Sequence, residues 1–219
     1  MKVILFGATG MVGQGVLREC IEDEGVEKVL VVVRQQAGLG SAKVTEVVHD
    51  DFYDWSGVVR WFNGFDACFF CLGVSAMGMK EADYRRTTYD LTLAAAEMLA
   101  QRGCVQTFVY VSGQGTNANG RQMWARVKGA TENALMALPF KQVFCFRPGY
   151  IQPMNGVRSK VGWYNGIYVL VSWMYPLLRM VAPKFVTSTD ELGRAMIAVA
   201  RKEYPKKVLE TVDIHVAGS

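Results

Sequence analysis

The clearest chemistry in this sequence lies in Gly7-Ala8-Thr9-Gly10-Met11-Val12-Gly13, which follows a short β-branched run and precedes a stretch of helical spacing. Glycine has a separate task at each of the three positions. Gly7 permits a tight turn, Gly10 lets the backbone approach a pyrophosphate, and Gly13 allows a helix to pack closely on a strand. The main chain of Thr9, Met11 and Val12 completes a loop whose N–H groups, with the positive end of the helix dipole, suit phosphate oxygens. Strand, loop and helix in that order predict a dinucleotide-binding site. The loop lacks a closing Gly-Lys-Ser/Thr, so it is not that of a nucleotide triphosphatase. A second strand ends in Val33-Arg34. An acidic residue there would accept a bond from the ribose 2′-hydroxyl of NAD(H); an arginine instead pairs with a 2′-phosphate. NADP(H) is therefore the preferred expectation, with NAD(H) possible.

These residues need elements to hold them. Short apolar runs at Val3–Phe6, Val29–Val33, Val44–Val48, Ala67–Leu72, Phe108–Val111 and Val143–Phe146 predict strands buried on both faces. Helical spacing fills Val12–Glu22, Tyr84–Gln101 and Met123–Leu138, the last ended by Pro139. The alternation predicts an α/β fold, a doubly wound parallel sheet of Rossmann type. The chain is read as a single domain, 1–219, with a dinucleotide-binding core over 1–150 and a small substrate-side cap over 151–219. Within the cap, Val161–Leu178 is apolar and aromatic, but Asn165, Gly166, Ser172 and Pro176 count against a membrane span. It fits a pocket wall, an oligomer contact, or a peripheral membrane or partner contact. Asp190–Arg201 reads as an amphipathic helix capped by Thr189 or Asp190, and Val208–Val216 as an edge strand.

Composition narrows the function. Hydrophobic residues at 51% and charged ones at 20% suit a globular chain, and a net charge of +4 gives no basic stripe for nucleic acid. Cysteines 20, 68, 71, 104 and 145 are an odd set inside apolar runs, which together with the short apolar start predicts reduced thiols in a cytoplasmic protein. Cys68 and Cys71 have redox or metal spacing, yet positions three apart on a strand face opposite ways. The two histidines, His49 and His215, join no acidic or thiol cluster in the sequence, and no metal is expected.

The series Gly7–Gly13, Asp51-Phe52, Leu72-Gly73, Val111-Ser112-Gly113, Lys128 and Arg147-Pro148-Gly149 resembles the extended and atypical short-chain dehydrogenase/reductases. Within them it is similar to the NAD(P)-dependent epimerase/dehydratase-like group related to the HIV Tat-interacting tumour-suppressor protein. The resemblance implies that Asp51 and Phe52 border adenine, and that Leu72 and Gly73 lie along ribose and pyrophosphate. It places Pro148, Gly149, Tyr150 and Ile151 near nicotinamide. It also implies that Ser112 orients the reacting oxygen and Lys128 anchors the nicotinamide ribose. Such reductases carry a tyrosine four residues before the lysine; position 124 here is Trp124, and an indole is no acid at neutral pH. Three ways remain open. Tyr89, Tyr110 or Tyr150 could supply the proton; a bound water could do so beside a flat Trp124 wall; or the chain could bind its cofactor without turnover as a regulatory or redox-sensing protein. The leading expectation is an oxidoreductase or epimerase-like enzyme for a small carbonyl or hydroxyl substrate of apolar or aromatic character.

Overall fold

A computed structural model describes residues 1–154 and 180–219. The Val161–Leu178 segment lies outside the described residues. Seven parallel strands of the described residues form one sheet: β1 (Lys2–Phe6), β2 (Lys28–Val33), β3 (Val44–Val48), β4 (Ala67–Phe70), β5 (Thr107–Val111), β6 (Gln142–Arg147) and the later β9 (Val208–Glu210). Their spatial order is β3-β2-β1-β4-β5-β6-β9, so the winding reverses between β1 and β4. A crevice at the carboxyl ends of the strands opens at such a reversal, where α/β sheets bind ligands.

Alternation along each strand separates two cores. Val3, Leu5, Val29, Val31, Phe69 and Phe144 point to one face. There they meet α1 (Met11–Glu22), α5 (Thr189–Arg201) and Ile214 of α6 (Thr211–Ala217). Ile4, Phe6, Leu30, Phe70, Phe108 and Tyr110 point to the other, against α3 (Leu91–Gln101) and Leu135 of α4 (Met123–Ala137). Cys68 belongs to the second core while Cys71 packs against the first, as a three-residue strand offset requires. Both thiols are pushed up from their ordinary range by burial.

Three expectations need correction. The helix read over Tyr84–Gln101 starts earlier, as α2 (Glu81–Arg85), and passes through a wide π turn at Arg86–Asp90 before α3. Thr87 and Thr92 bond back to the carbonyls of Asp83 and Thr88, at 3.0 and 2.5 Å, around that turn. Hydroxyls that compete for main-chain carbonyls in this way disturb a regular helix. The cap of α5 is Ser188, not Thr189 or Asp190. Ser188 accepts from the Glu191 N–H at 3.1 Å while Glu191 accepts from the Ser188 N–H at 3.3 Å, a reciprocal box. Val208–Val216 contributes only the short β9, parallel to β6, before α6 begins. A second, two-stranded sheet pairs β7 (Tyr150–Gln152) with β8 (Val186–Ser188).

The chain after β8 therefore returns to the sheet. α1 and α5 cross so closely that a Cβ on Gly15 would lie 2.4 Å from the Cβ of Thr189, and one on Gly193 would lie 2.7 Å from the Cγ of Glu19.

Candidate functional site

Phe6 ends β1, and the chain turns sharply at Gly7 with φ +84°. A Cβ there would sit 2.8 Å from the Cys71 backbone, so only glycine lets β1 pass so near the end of β4. The Gly10 N–H closes the turn on Gly7 O at 2.9 Å, and Gln14 Nε2 donates to Thr9 O at 3.0 Å. Gly13 then brings the first turn of α1 onto the loop; a Cβ there would stand 2.1 Å from Gly7 O. No side chain among the described residues caps α1, whose N-cap is Gly10. Met11, Val12 and Gly13 thus begin a helix whose free end faces the crevice.

Beside this loop the ends of β2 and β3 enclose a cavity of about 630 Å³ lined by Thr9, Val33, Arg34, Gln35, Gln36, Ala37 and Asp50. Arg34 is exposed there. Asp51 accepts from the Tyr53 N–H at 2.9 Å and so shapes the next turn. Phe52 is buried, its ring edge-on to Trp55 at 5.3 Å within the aromatic cluster of the second core. Leu72 is half-buried beyond β4. An added Cβ on Gly73 or Gly113 would meet nothing described within 4 Å, which leaves open space over the ends of β4 and β5. Uncapped helix, glycine turn and open strand ends together fit a dinucleotide.

Further along, Lys128 Nζ donates to Ser112 O at 2.8 Å, with Val111 O at 3.5 Å, and lies 5.7 Å from the Tyr110 ring centre. Burial pulls its ammonium down to about 8, against which the charge of Glu132 acts only in part. A lysine lowered from 10.5 in the fold costs stability while protonated. Stability should therefore rise with pH from about 8 towards 10.5, and Lys128→Met should flatten that rise in urea unfolding followed across the range.

Ser112 Oγ lies 3.0 Å from Thr116 Oγ1, which itself donates to Gly113 O at 2.7 Å. The one proton of Thr116 is thereby used, so Ser112 donates to Thr116 and offers lone pairs elsewhere. As held here, Ser112 suits a substrate hydroxyl that donates. To polarise a carbonyl it must turn from Thr116. Trp124 is half-buried, its ring 3.5 Å from where a Cβ on Gly115 would stand.

The tyrosines considered as proton donors take different places. Tyr110 is 1% exposed, packed in the second core, and burial pushes its phenol well up. Tyr89 lies under the Arg85 guanidinium, 4.0 Å from ring centre. Tyr150 donates to Gln152 Oε1 at 3.1 Å. Pro148 and Gly149 do abut the Ser112 loop: the Gln114 N–H donates to Pro148 O at 2.9 Å, and Gly149 lies against the Phe185 carbonyl. Ile151 pairs with Thr187 in the small sheet.

Sequence reasoning missed Thr116, Asp50 and a buried ion pair beside Lys128. Arg147 donates to both oxygens of Glu132, at 3.0 and 2.5 Å, and to Glu210 at 3.3 Å. The four-residue offset of Glu132 from Lys128 was the available signal. Among the described residues no cluster of three or more histidine, cysteine or acidic side chains could hold a metal, and no helix is long and apolar enough to cross a membrane.

A family model described as NAD(P)H-binding matches residues 7–138. Protein FMP52, mitochondrial, of Eremothecium gossypii is 29% identical over 211 residues, covering 95% of this chain and 92% of its own. Protein FMP52-2, mitochondrial, of Scheffersomyces stipitis is 31% identical over 215 residues, covering 95% and 90%. Among solved structures, DesIV, a dTDP-glucose 4,6-dehydratase from Streptomyces venezuelae with NAD and TYD bound, superposes with a TM-score of 0.69 at 14% identity. The superposition covers 100% of this chain and 79% of that one, and shows a shared Rossmann-type α/β fold. The relatives' mitochondrial names overturn the expectation of a cytoplasmic location. Cysteine usage reports how reducing the surroundings are and not an address, so it could not separate a mitochondrial from a cytoplasmic location.

Proposed function

The chain belongs to the NAD(P)H-binding family, and from that premise we propose that it is an NADP(H)-dependent oxidoreductase or epimerase-like enzyme acting on a small carbonyl or hydroxyl compound. The observation that carries the cofactor preference is Arg34, exposed on the wall of the 630 Å³ cavity beside Thr9. In this reading the Gly7–Gly13 loop and the start of α1 hold the pyrophosphate, and Arg34 takes the 2′-phosphate. Asp51 and Phe52 border adenine, Phe52 by its main chain since its ring is buried. Leu72 and Gly73 follow the ribose and pyrophosphate, and Pro148, Gly149, Tyr150 and Ile151 flank the nicotinamide. Lys128 anchors the nicotinamide ribose, Ser112 accepts from a reacting hydroxyl, and Trp124 walls an apolar or aromatic substrate. When bound, the cofactor supplies hydride chemistry; the chain binds, orients and excludes water. In this reading residues 1–150 are the cofactor core and 151–219 the substrate-side extension, which also returns Val208–Glu210 to the sheet as its last strand. The relatives' names support a mitochondrial location.

Titration with NADPH and NADH tests the preference. Arg34→Ala should weaken NADPH on the order of 30-fold while NADH stays within about twofold, the signature of one lost charge-assisted contact. Equal binding of the two cofactors by the unaltered protein would defeat it.

A second reading, cofactor binding without turnover in a regulatory or redox-sensing protein, is favoured by Trp124 at the tyrosine position and by the core burial of Tyr110. NADPH oxidation against a panel of carbonyl compounds separates the two. Turnover that falls with Lys128→Ala supports the enzyme, and none with any carbonyl supports the regulatory protein.

A further inference from the structure

Glu46 stands in the middle of β3, opposite Val31 of β2, on the edge of the sheet. Its side chain reaches back over the segment that follows β2. Oε2 accepts from the Ala37 N–H at 2.7 Å and Oε1 from the Leu39 N–H at 2.6 Å. Gly38 between them has φ +66°, the left-handed turn that points successive N–H groups at one anion. The two bonds hold the carboxyl of Glu46 below the usual carboxylate range. Glu46 does not line the cavity beside Thr9; the stretch it grips, Ala37 to Leu39, directly follows Arg34 to Gln36 and shares Ala37 with the cavity wall. Arg34 to Gly38 are otherwise exposed, and Lys43 is turned away, donating to Ile21 O and Asp23 O at 2.7 and 2.8 Å.

We propose that Glu46 is a positioning residue that sets the preference for NADPH over NADH by fixing the loop that carries Arg34, Gln35 and Gln36. The proposal rests on the NADP(H) reading above. A loop ordered before the ligand arrives loses less freedom on binding, and Arg34 gains most because its contact with a 2′-phosphate depends on orientation. NADH lacks the group that this wall meets and is indifferent to the grip.

Affinities of NADPH and NADH, measured by calorimetry for the full chain and its Glu46→Gln, Glu46→Ala and Arg34→Ala variants, test it. Glu46→Gln should weaken NADPH about fivefold and Glu46→Ala about tenfold, with NADH within about twofold. In an Arg34→Ala background Glu46→Gln should add little, since both act on one contact. Equal weakening of the two cofactors would make Glu46 merely structural and overturn the proposal, as would no change in either. Should Glu46→Ala not fold, the isosteric Glu46→Gln still decides. If Arg34→Ala leaves NADPH binding intact, the NADP(H) reading fails and takes this proposal with it. If Arg34→Ala responds and the Glu46 variants do not, only the proposal falls.

Discussion

A Gly13→Ala variant is expected to bind both NADPH and NADH on the order of a hundredfold more weakly and to lose about 1–3 kcal/mol of stability. The added methyl would stand 2.1 Å from Gly7 O and 2.6 Å from the Gly7 carbonyl carbon, both backbone atoms that cannot rotate away. Relief requires α1 to lift from β1, which drags its uncapped N-terminus out of line with any phosphate. Gly73→Ala is the control, since its methyl would meet nothing described within 4 Å. Urea unfolding and cofactor titration of the two variants side by side measure the effect. Equal behaviour of both would show that the α1 contact is slack enough to absorb a methyl group.

Glu132→Ala should destabilise the fold by about 3–5 kcal/mol, the usual cost of breaking a buried ion pair from one side. Glu132 is 2% exposed and holds the half-buried Arg147 through both oxygens, while among the described residues the more exposed Glu210 is the second acidic partner of Arg147. The bonds to Glu132 raise the Arg147 guanidinium further above its ordinary range; without Glu132 it falls back toward that range, where an arginine is still charged at neutral pH. Replacing both residues, as Glu132→Met with Arg147→Leu, should recover most of the loss, because no charge is then left stranded. The single variant carries a second signature. Glu132 supports the ammonium of Lys128 one helical turn away, so its removal should move the Lys128 titration below about 8. Urea unfolding reads the first effect and lysine-selective NMR the second.

The strands and the glycine loop were legible because each is local. A β-branched run needs no partner to declare a buried strand, and Gly7, Gly10 and Gly13 sit at offsets fixed by one turn and one helix. Arg34 was legible for the same reason, as the residue ending a strand. Ser112 was seen as a residue but not as a hydrogen-bond state: its donor is committed to Thr116, which depends on where the following loop folds back. Glu46 gives no sign in the sequence, since its partners are main-chain N–H groups of a loop before it. The cap of α5 could have been read. Ser188-Thr-Asp-Glu191 has the reciprocal spacing, and the nearer Thr189 and Asp190 drew attention from it. The π turn at Arg86–Asp90 could not, because apolar periodicity averages across a single wide turn.

The close crossing of α1 and α5 sets an order of events during synthesis. The first helix leaves the ribosome early, but the surface that clamps it through Gly15 and Gly193 is translated more than 170 residues later. Until then Val16, Leu17 and Cys20 have no α5 to cover them, so a nascent chain presents an apolar stripe next to its phosphate loop. Contacts of such sequence separation form slowly and leave intermediates that are prone to aggregate. A chain stalled before residue 189 would therefore expose that stripe and be a chaperone client.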